Sequence, residues 1–245
     1  MAHGVREIVR QGMRSGATNA RAWKRFWASY CRYRQLAPEG VEPDLLPHIF
    51  PCLGDDTAVT EIEPTYFYQD AWAFRKILER RPPWHVDVGS HHKFVALLSQ
   101  VLPVTMVDIR PVDLPLEGLE FQAGSILEMP FPDASVPSVS SLCVVEHIGL
   151  GRYGDPLDWH GTEKAIAELK RIVAPGGDLY LSIPVDDVNR TYFNAHRAFT
   201  EPYLEELFAP FEIVERRYIH GREFGSELRE GFGTGCYHLR PPAER

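Results

Sequence analysis

The chain of 245 residues is poor in cysteine, and its four, Cys31, Cys52, Cys143 and Cys236, stand far apart. No CxxC pair occurs, so the sequence offers neither a zinc knuckle nor a disulfide framework, and a reducing, cytoplasmic setting is expected. It has no apolar run long enough to cross a bilayer and no signal-peptide core near Met1, so neither a transmembrane nor a secretory segment is expected. Basic charge is in deficit: 26 Lys and Arg stand against 34 Asp and Glu, a net charge of −8. That balance argues against general nucleic-acid binding. Internal repeats and low-complexity tracts are missing as well.

The basic residues present are unevenly placed. Residues 1–36 hold eight Lys or Arg and one acid, Glu7, hence +7, which leaves −15 for the remainder. Trp23, Phe26, Trp27 and Tyr30 recur there at helical spacing. The pattern predicts an amphipathic helix packed by its aromatic face, with peripheral contact to an anionic membrane surface as the alternative. Residues 37–65, rich in proline and acids, read as a connection, and 66–83 as a helix stopped by Pro82 and Pro83. A helical extension is thus expected over 1–83 and a main domain over 84–245.

In the main domain strand and helix alternate. Strands are expected at 84–90, 104–109, 119–126, 139–148 and 178–184, with a closing pair at 211–219 and 235–240. Phe94, Val95, Leu97, Leu98 and Val101 mark one helix. Ile166, Leu169, Ile172 and Val173 mark another, with Thr162 as its cap and Pro175-Gly176-Gly177 as its stop. The alternation predicts an α/β, Rossmann-like fold: a mostly parallel seven-stranded sheet with helices on both faces. Right-handed crossovers bring the C-terminal strand ends to one edge, where ligands bind.

That edge collects the chemistry. In "HVDVGSHHKF" an apolar strand ends in Asp87 and turns at Gly89, but His91 stands where a second glycine would let a cofactor approach. Asp108 ends the next strand 19 residues after Gly89, a spacing that suits two ribose hydroxyls. "EHIGLGRYGDPLDWHG" places Glu146, His147, Arg152, Tyr153, Asp155, Asp158 and His160 among glycines. Arg, Tyr and Asp together suit a hydroxylated or carboxylated acceptor, or else form a loop closed by an Arg152–Asp155 pair. In "FNAHRAF", His196 is a candidate general base, and Asn194 and Arg197 are candidate orienting groups for a sugar or carboxylate. The structural alternative is a turn capped by Asn194 with His196 packed inside. The histidine spacings match no metal-ligand pattern, so no metal is expected.

The succession "VDVGS", "VDIRP", "GSILEMPFPDAS", "LCVVEHIG" and "AIAELKRIVAPGGDLYLSIP" resembles the class I S-adenosylmethionine-dependent methyltransferases over residues 84–240. "YFYQDAWAF", "EHIGLGRYGDPLDWHGTEKAIAELKR" and "FNAHR" resemble a narrower family of methyltransferase-like proteins, DUF268. The resemblance implies S-adenosylmethionine as cofactor. It assigns Asp87, Gly89 and Ser90 to the loop at its methionine end, Asp108 and Ile109 to the ribose, Ser125 and Ile126 to the adenine, and Val145 to the wall closing the site. His147 and His196 are then the expected catalytic bases. Arg152, Tyr153, Asp155, Asn194 and Arg197 are the expected contacts to a small-molecule or glycan acceptor, with transfer to a hydroxyl of a sugar or glycoconjugate. Two other readings stay open: different chemistry on the same fold, or a non-catalytic partner protein with a degenerate cofactor loop.

Overall fold

The computed structural model describes residues 20–39 and 49–243. The chain divides into two compact units, Met1–Ile62 and Glu63–Arg245. In the first, helix α1 (Ala20–Gln35) carries the predicted aromatic stripe, with Trp23 and Trp27 stacked at 6.5 Å and Phe26 and Tyr30 edge-on to Trp27. The basic residues Arg6, Arg10 and Arg14 lie outside the described residues.

The second unit begins with α2 (Pro64–Arg80), then β1 (His85–Val88), α3 (His92–Leu98), β2 (Val104–Asp108), β3 (Leu119–Ala123) and β4 (Val136–Leu142). After α4 (Gly161–Ile172) come β5 (Val173–Val185), the short β6 (Arg190–Tyr192) and β7 (His196–Ala198), α5 (Glu201–Phe208), β8 (Glu212–His220), β9 (Glu223–Gly225) and β10 (Gly233–Arg240). The sheet order is β3-β2-β1-β4-β5-β10-β8-β9. Its first five members run parallel, and β10 is antiparallel to both β5 and β8. The seven expected strands are therefore present. The three-residue β9 adds an eighth at the edge, and β6–β7 form a separate ribbon.

Burial on both faces explains the apolar runs. Along β5, Leu179, Leu181 and Ile183 join one core with Ile166 and Leu169 of α4 and Leu204 and Phe208 of α5. Tyr180 points the other way, into a core with Trp72 and Ile77 of α2 and Phe94 and Leu98 of α3. Helix α2, expected with the extension, is thus part of the sheet's own packing, and the division falls at Ile62/Glu63.

Three local expectations change. The strand expected to run to Ile148 ends at Leu142. Cys143 takes φ 53°, and Val145–His147 form a 3-10 turn. Thr162 does not cap α4; its hydroxyl donates to the Val145 carbonyl at 2.8 Å, locking that turn to the helix. Pro175-Gly176-Gly177 is not a stop between helix and strand, because β5 begins at Val173, directly after α4. The three residues lie in an irregularity where Val136 pairs with Val173 and Ser138 with Asp178.

Candidate functional site

The order reverses at β1, which has β2 on one side and β4 on the other. The crevice at the C-terminal ends of such strands is where this architecture binds ligands. Gly89 turns there with φ +69°, and its amide donates to the Val107 carbonyl at 3.0 Å. A β-carbon at Gly89 would come 3.1 Å from Val144 and 3.9 Å from Asp108 Oδ2, so the glycine lets the Val144 side chain close against the turn. Asp108 Oδ1 accepts from the Arg110 amide at 2.8 Å, while Oδ2 accepts from no described residue. Ile109 beside it is exposed, and Ser125 turns its hydroxyl to the Leu127 amide at 3.2 Å.

Other residues assigned to the cofactor support the crevice from inside. Asp87 is fully buried, its oxygens accepting from the Ser90 amide at 3.0 Å and the Ser140 hydroxyl at 2.5 Å. Burial pushes its carboxyl up to about 6. Ser140 also meets His85 Nε2 at 2.9 Å, and burial pushes that imidazole down to about 3. Ser90 accepts from the Leu142 amide at 3.0 Å, tying β1's turn to β4. Ile126 and Val145 belong to the core, so their side chains do not face a ligand.

His91 is accommodated as the cap of the helix that follows. Its Nδ1 accepts from the Lys93 amide at 3.3 Å as the N-cap of α3, and its ring stacks on His92 at 4.3 Å and meets Tyr66 at 5.3 Å.

The acceptor side is built from two loops. Asp155 holds the first, accepting from the amides of Gly149 at 2.6 Å, Tyr153 at 3.3 Å and Gly151 at 3.4 Å. The expected Arg152–Asp155 pair is absent because that carboxylate is spent on the backbone. Arg152 instead donates from Nη1 to the Ala195 carbonyl at 2.9 Å, reaching the second loop. Arg197, expected to meet a ligand, is buried and donates to the carbonyls of Ile148 at 2.5 Å and Asp158 at 2.9 Å. It pins the first loop from behind. Asn194 is exposed at the tip of the ribbon.

His147 and His196 come to the same place by a backbone route. His147 Nδ1 donates to the Ala195 carbonyl at 2.6 Å, the residue before His196. Nδ1 then carries the proton and Nε2 is left basic. Burial pushes the His147 imidazole down to about 4, so it is neutral at pH 7. The two rings do not stack. His147 meets Tyr153 edge-on at 5.7 Å, while His196 packs on Tyr192 at 5.0 Å and Phe232 at 5.4 Å.

Glu146, named in its loop by the sequence but given no role there, stands out in the fold. It is buried, its Oε2 has no hydrogen-bond partner, and Oε1 lies 3.6 Å from His147 Nε2. Burial raises its carboxyl to about 8 against the pull of neighbouring donors and of Arg152. The signal was there: a lone acid inside the apolar run "LCVVEHI". Tyr66, at the start of α2, has its hydroxyl raised by burial and by the charges of Cys143, Glu146 and Tyr153. Among the described residues no three His, Cys, Asp or Glu side chains gather as a metal site.

These features define a class I S-adenosylmethionine-dependent methyltransferase fold. Residues 133–230 match the family model described as "Caenorhabditis protein of unknown function, DUF268". No curated protein sequence matches the chain. Among solved structures, the N-methyltransferase NodS from Bradyrhizobium japonicum is similar with a TM-score of 0.53 at 16% identity, over 77% of this chain and 99% of NodS. The 1,6-didemethyltoxoflavin-N1-methyltransferase of Burkholderia thailandensis, holding S-adenosylhomocysteine, is similar with a TM-score of 0.50 at 20% identity, over 75% of this chain and 92% of that one. The [4+2]-cyclase SpnF is equally alike, with a TM-score of 0.54 at 13% identity over 71% and 82%. The likeness shows the fold, and fold alone does not choose the reaction.

The residues present fit the cofactor that the fold implies. The turn at Gly89 lies beside the unengaged Asp108 Oδ2, 3.9 Å from where a β-carbon would stand. An exposed apolar side chain, Ile109, follows Asp108.

Proposed function

We propose that this chain methylates a hydroxyl of a polar small molecule, a sugar or glycoconjugate, at the expense of S-adenosylmethionine. The observation that carries the reading is His147. Its Nδ1 is tied to the Ala195 carbonyl, its Nε2 is basic beside buried Glu146, and it stands on the sheet edge that holds Gly89 and Asp108. In this reading Asp108 takes the ribose diol, the Gly89 turn admits the methionine end, and Ile109 and Ser125 flank the base. Asp87, Ser90, Ile126 and Val145 hold that surface in shape.

Held by the Gly89 turn and Asp108, the cofactor would supply a sulfonium methyl group for transfer to the acceptor oxygen and would leave as S-adenosylhomocysteine. His147 Nε2 accepts the proton that the hydroxyl loses, directly or through one water. A cation brought near Glu146 favours its ionised form, and the carboxylate then supports a protonated His147. Tyr153 walls the acceptor, and Asp155, Asn194 and Arg197 act through the two loops. His196 is proposed as a secondary base. Residues 1–36, the basic and aromatic part of the Met1–Ile62 unit, are proposed as an accessory to the catalytic unit. The free thiols Cys143 and Cys236 suit a reducing cytoplasm.

Calorimetry with S-adenosylhomocysteine tests the reading. Micromolar binding is expected, weakened about 100-fold by Asp108→Ala, through loss of a hydrogen-bonded charged partner. No binding at millimolar ligand would sink it. A second reading, non-methyl-transfer chemistry on this fold, is favoured by His91 at the usual glycine position and would leave Asp108→Ala without effect on turnover.

A further inference from the structure

We propose that the acceptor is an anion, and that Arg152 takes its carboxylate or phosphate and so places the hydroxyl beside His147. The proposal deepens the methyl-transfer reading as to acceptor class, but the anion site itself rests on geometry.

Most arginines of the unit hold a carboxylate within 4 Å, Arg171, Arg216 and Arg240 among them. Arg152 holds none. Asp155, an acid of the same loop, is engaged by three backbone amides and makes no ion pair with Arg152. Its one protein acceptor is the Ala195 carbonyl, reached by Nη1 alone. The remaining donors of a five-donor fork are unspent, and such a fork matches a carboxylate or phosphate in shape and charge.

The position is specific. Arg152 Nη1 lies 3.5 Å from His147 Nδ1, so an anion on the guanidinium is held within one side chain of the proposed base. The charge of Arg152 also depresses both His147 and His196. Tyr153 keeps the guanidinium in place, with Arg152 5.0 Å and Arg110 4.4 Å from its ring centroid. Arg110 in turn leans on Asp108 at 3.5 Å. An uncompensated guanidinium also stands out on a chain whose residues beyond 36 carry −15. A guanidinium without an ion-pair partner attracts an anion.

The test is an NMR titration of the full chain, following the imidazole signals of His147 and His196, with glucuronate, glucose 1-phosphate, inorganic phosphate and glucose as probes. At least one of the three anions should move both imidazoles, and glucose should not. Glucuronate acting alone would select a carboxylate, and the phosphates acting alone a phosphate. Arg152→Gln should weaken anion binding about 10- to 100-fold, the range of a charge-assisted hydrogen bond. Arg152→Lys, which keeps the charge and a donor for Ala195, should retain it within about tenfold. Equal responses to glucose and glucuronate, unchanged binding in Arg152→Gln, or equal loss in both variants would overturn the proposal. Anion binding with no binding of S-adenosylhomocysteine would sink the methyl-transfer reading and leave the anion site standing.

Discussion

Asp178 and Glu146 are both buried acids of the same sheet, one near the start of β5 and the other beyond the end of β4. Around Asp178 the protein supplies three side-chain partners: His238 Nε2 at 2.6 Å and the guanidiniums of Arg240 at 2.7 Å and Arg80 at 2.8 Å. Burial alone would raise Asp178, but these partners win and hold it at about 2. Around Glu146 no cation is in contact, one oxygen is unpartnered, and burial raises the group to about 8. The first arrangement closes a structure. The second leaves a buried acid with an unpartnered oxygen, at a cost to stability, the kind of environment that in the proposed reading serves chemistry.

The largest expected effect breaks the first member of the pair. Asp178→Asn strands three donors around a neutral amide and should lower unfolding stability by about 3 kcal/mol, less than a fully buried triad because both arginines are partly exposed. S-adenosylhomocysteine affinity should not change. Chemical denaturation and calorimetry on one preparation check both.

His147→Ala is next. It should reduce turnover of an identified acceptor by roughly 10²–10⁴ with cofactor affinity intact. His196→Ala should cost less, since that ring is engaged by Tyr192 and Phe232. Equal losses would restore His196 as a partner base.

Glu146→Gln should do the opposite of Asp178→Asn. Glu146 has a folded pKa raised above its unfolded value, so its contribution is fully present below about 4.5 and is lost as pH rises through about 8. The glutamine variant is therefore expected to be more stable at pH 7, by roughly 2 kcal/mol, and no more stable at pH 4. Asp178 has a depressed folded pKa, so its contribution is present above about 3.9 and is lost as pH falls through about 2. Denaturation of the two variants and the native chain from pH 3 to 9 reads both signs. A Glu146→Gln chain destabilised at pH 7 would erase the contrast.

The smallest effect is spectroscopic. His147 should stay neutral at pH 5 and titrate near 4, well below an unperturbed histidine near 6.5. A midpoint above 6 would place the ring in water and remove it as the buried partner of Glu146.

The linear order of residues determined the alternating strands and helices, the parallel core with its antiparallel close, and the edge on which Gly89, Asp108, His147 and His196 meet. Periodicity is local, and handed crossovers turn it into topology with few alternatives. The direction of each polar side chain at that edge was settled only in the folded chain. Cys143 ends β4 early, and the turn that follows sends Glu146 inward, with Val145 in the core and His147 against the next loop. Asp87 and Arg197 carry the residue types of a binding site, yet both are spent on the backbone and side chains behind it. Asp155 was expected to hold Arg152; it took three amides instead, and this is what left the guanidinium free. Such outcomes depend on which donor lies nearest in space, across separations of tens of residues, and a buried polar group takes whatever partner the packing brings.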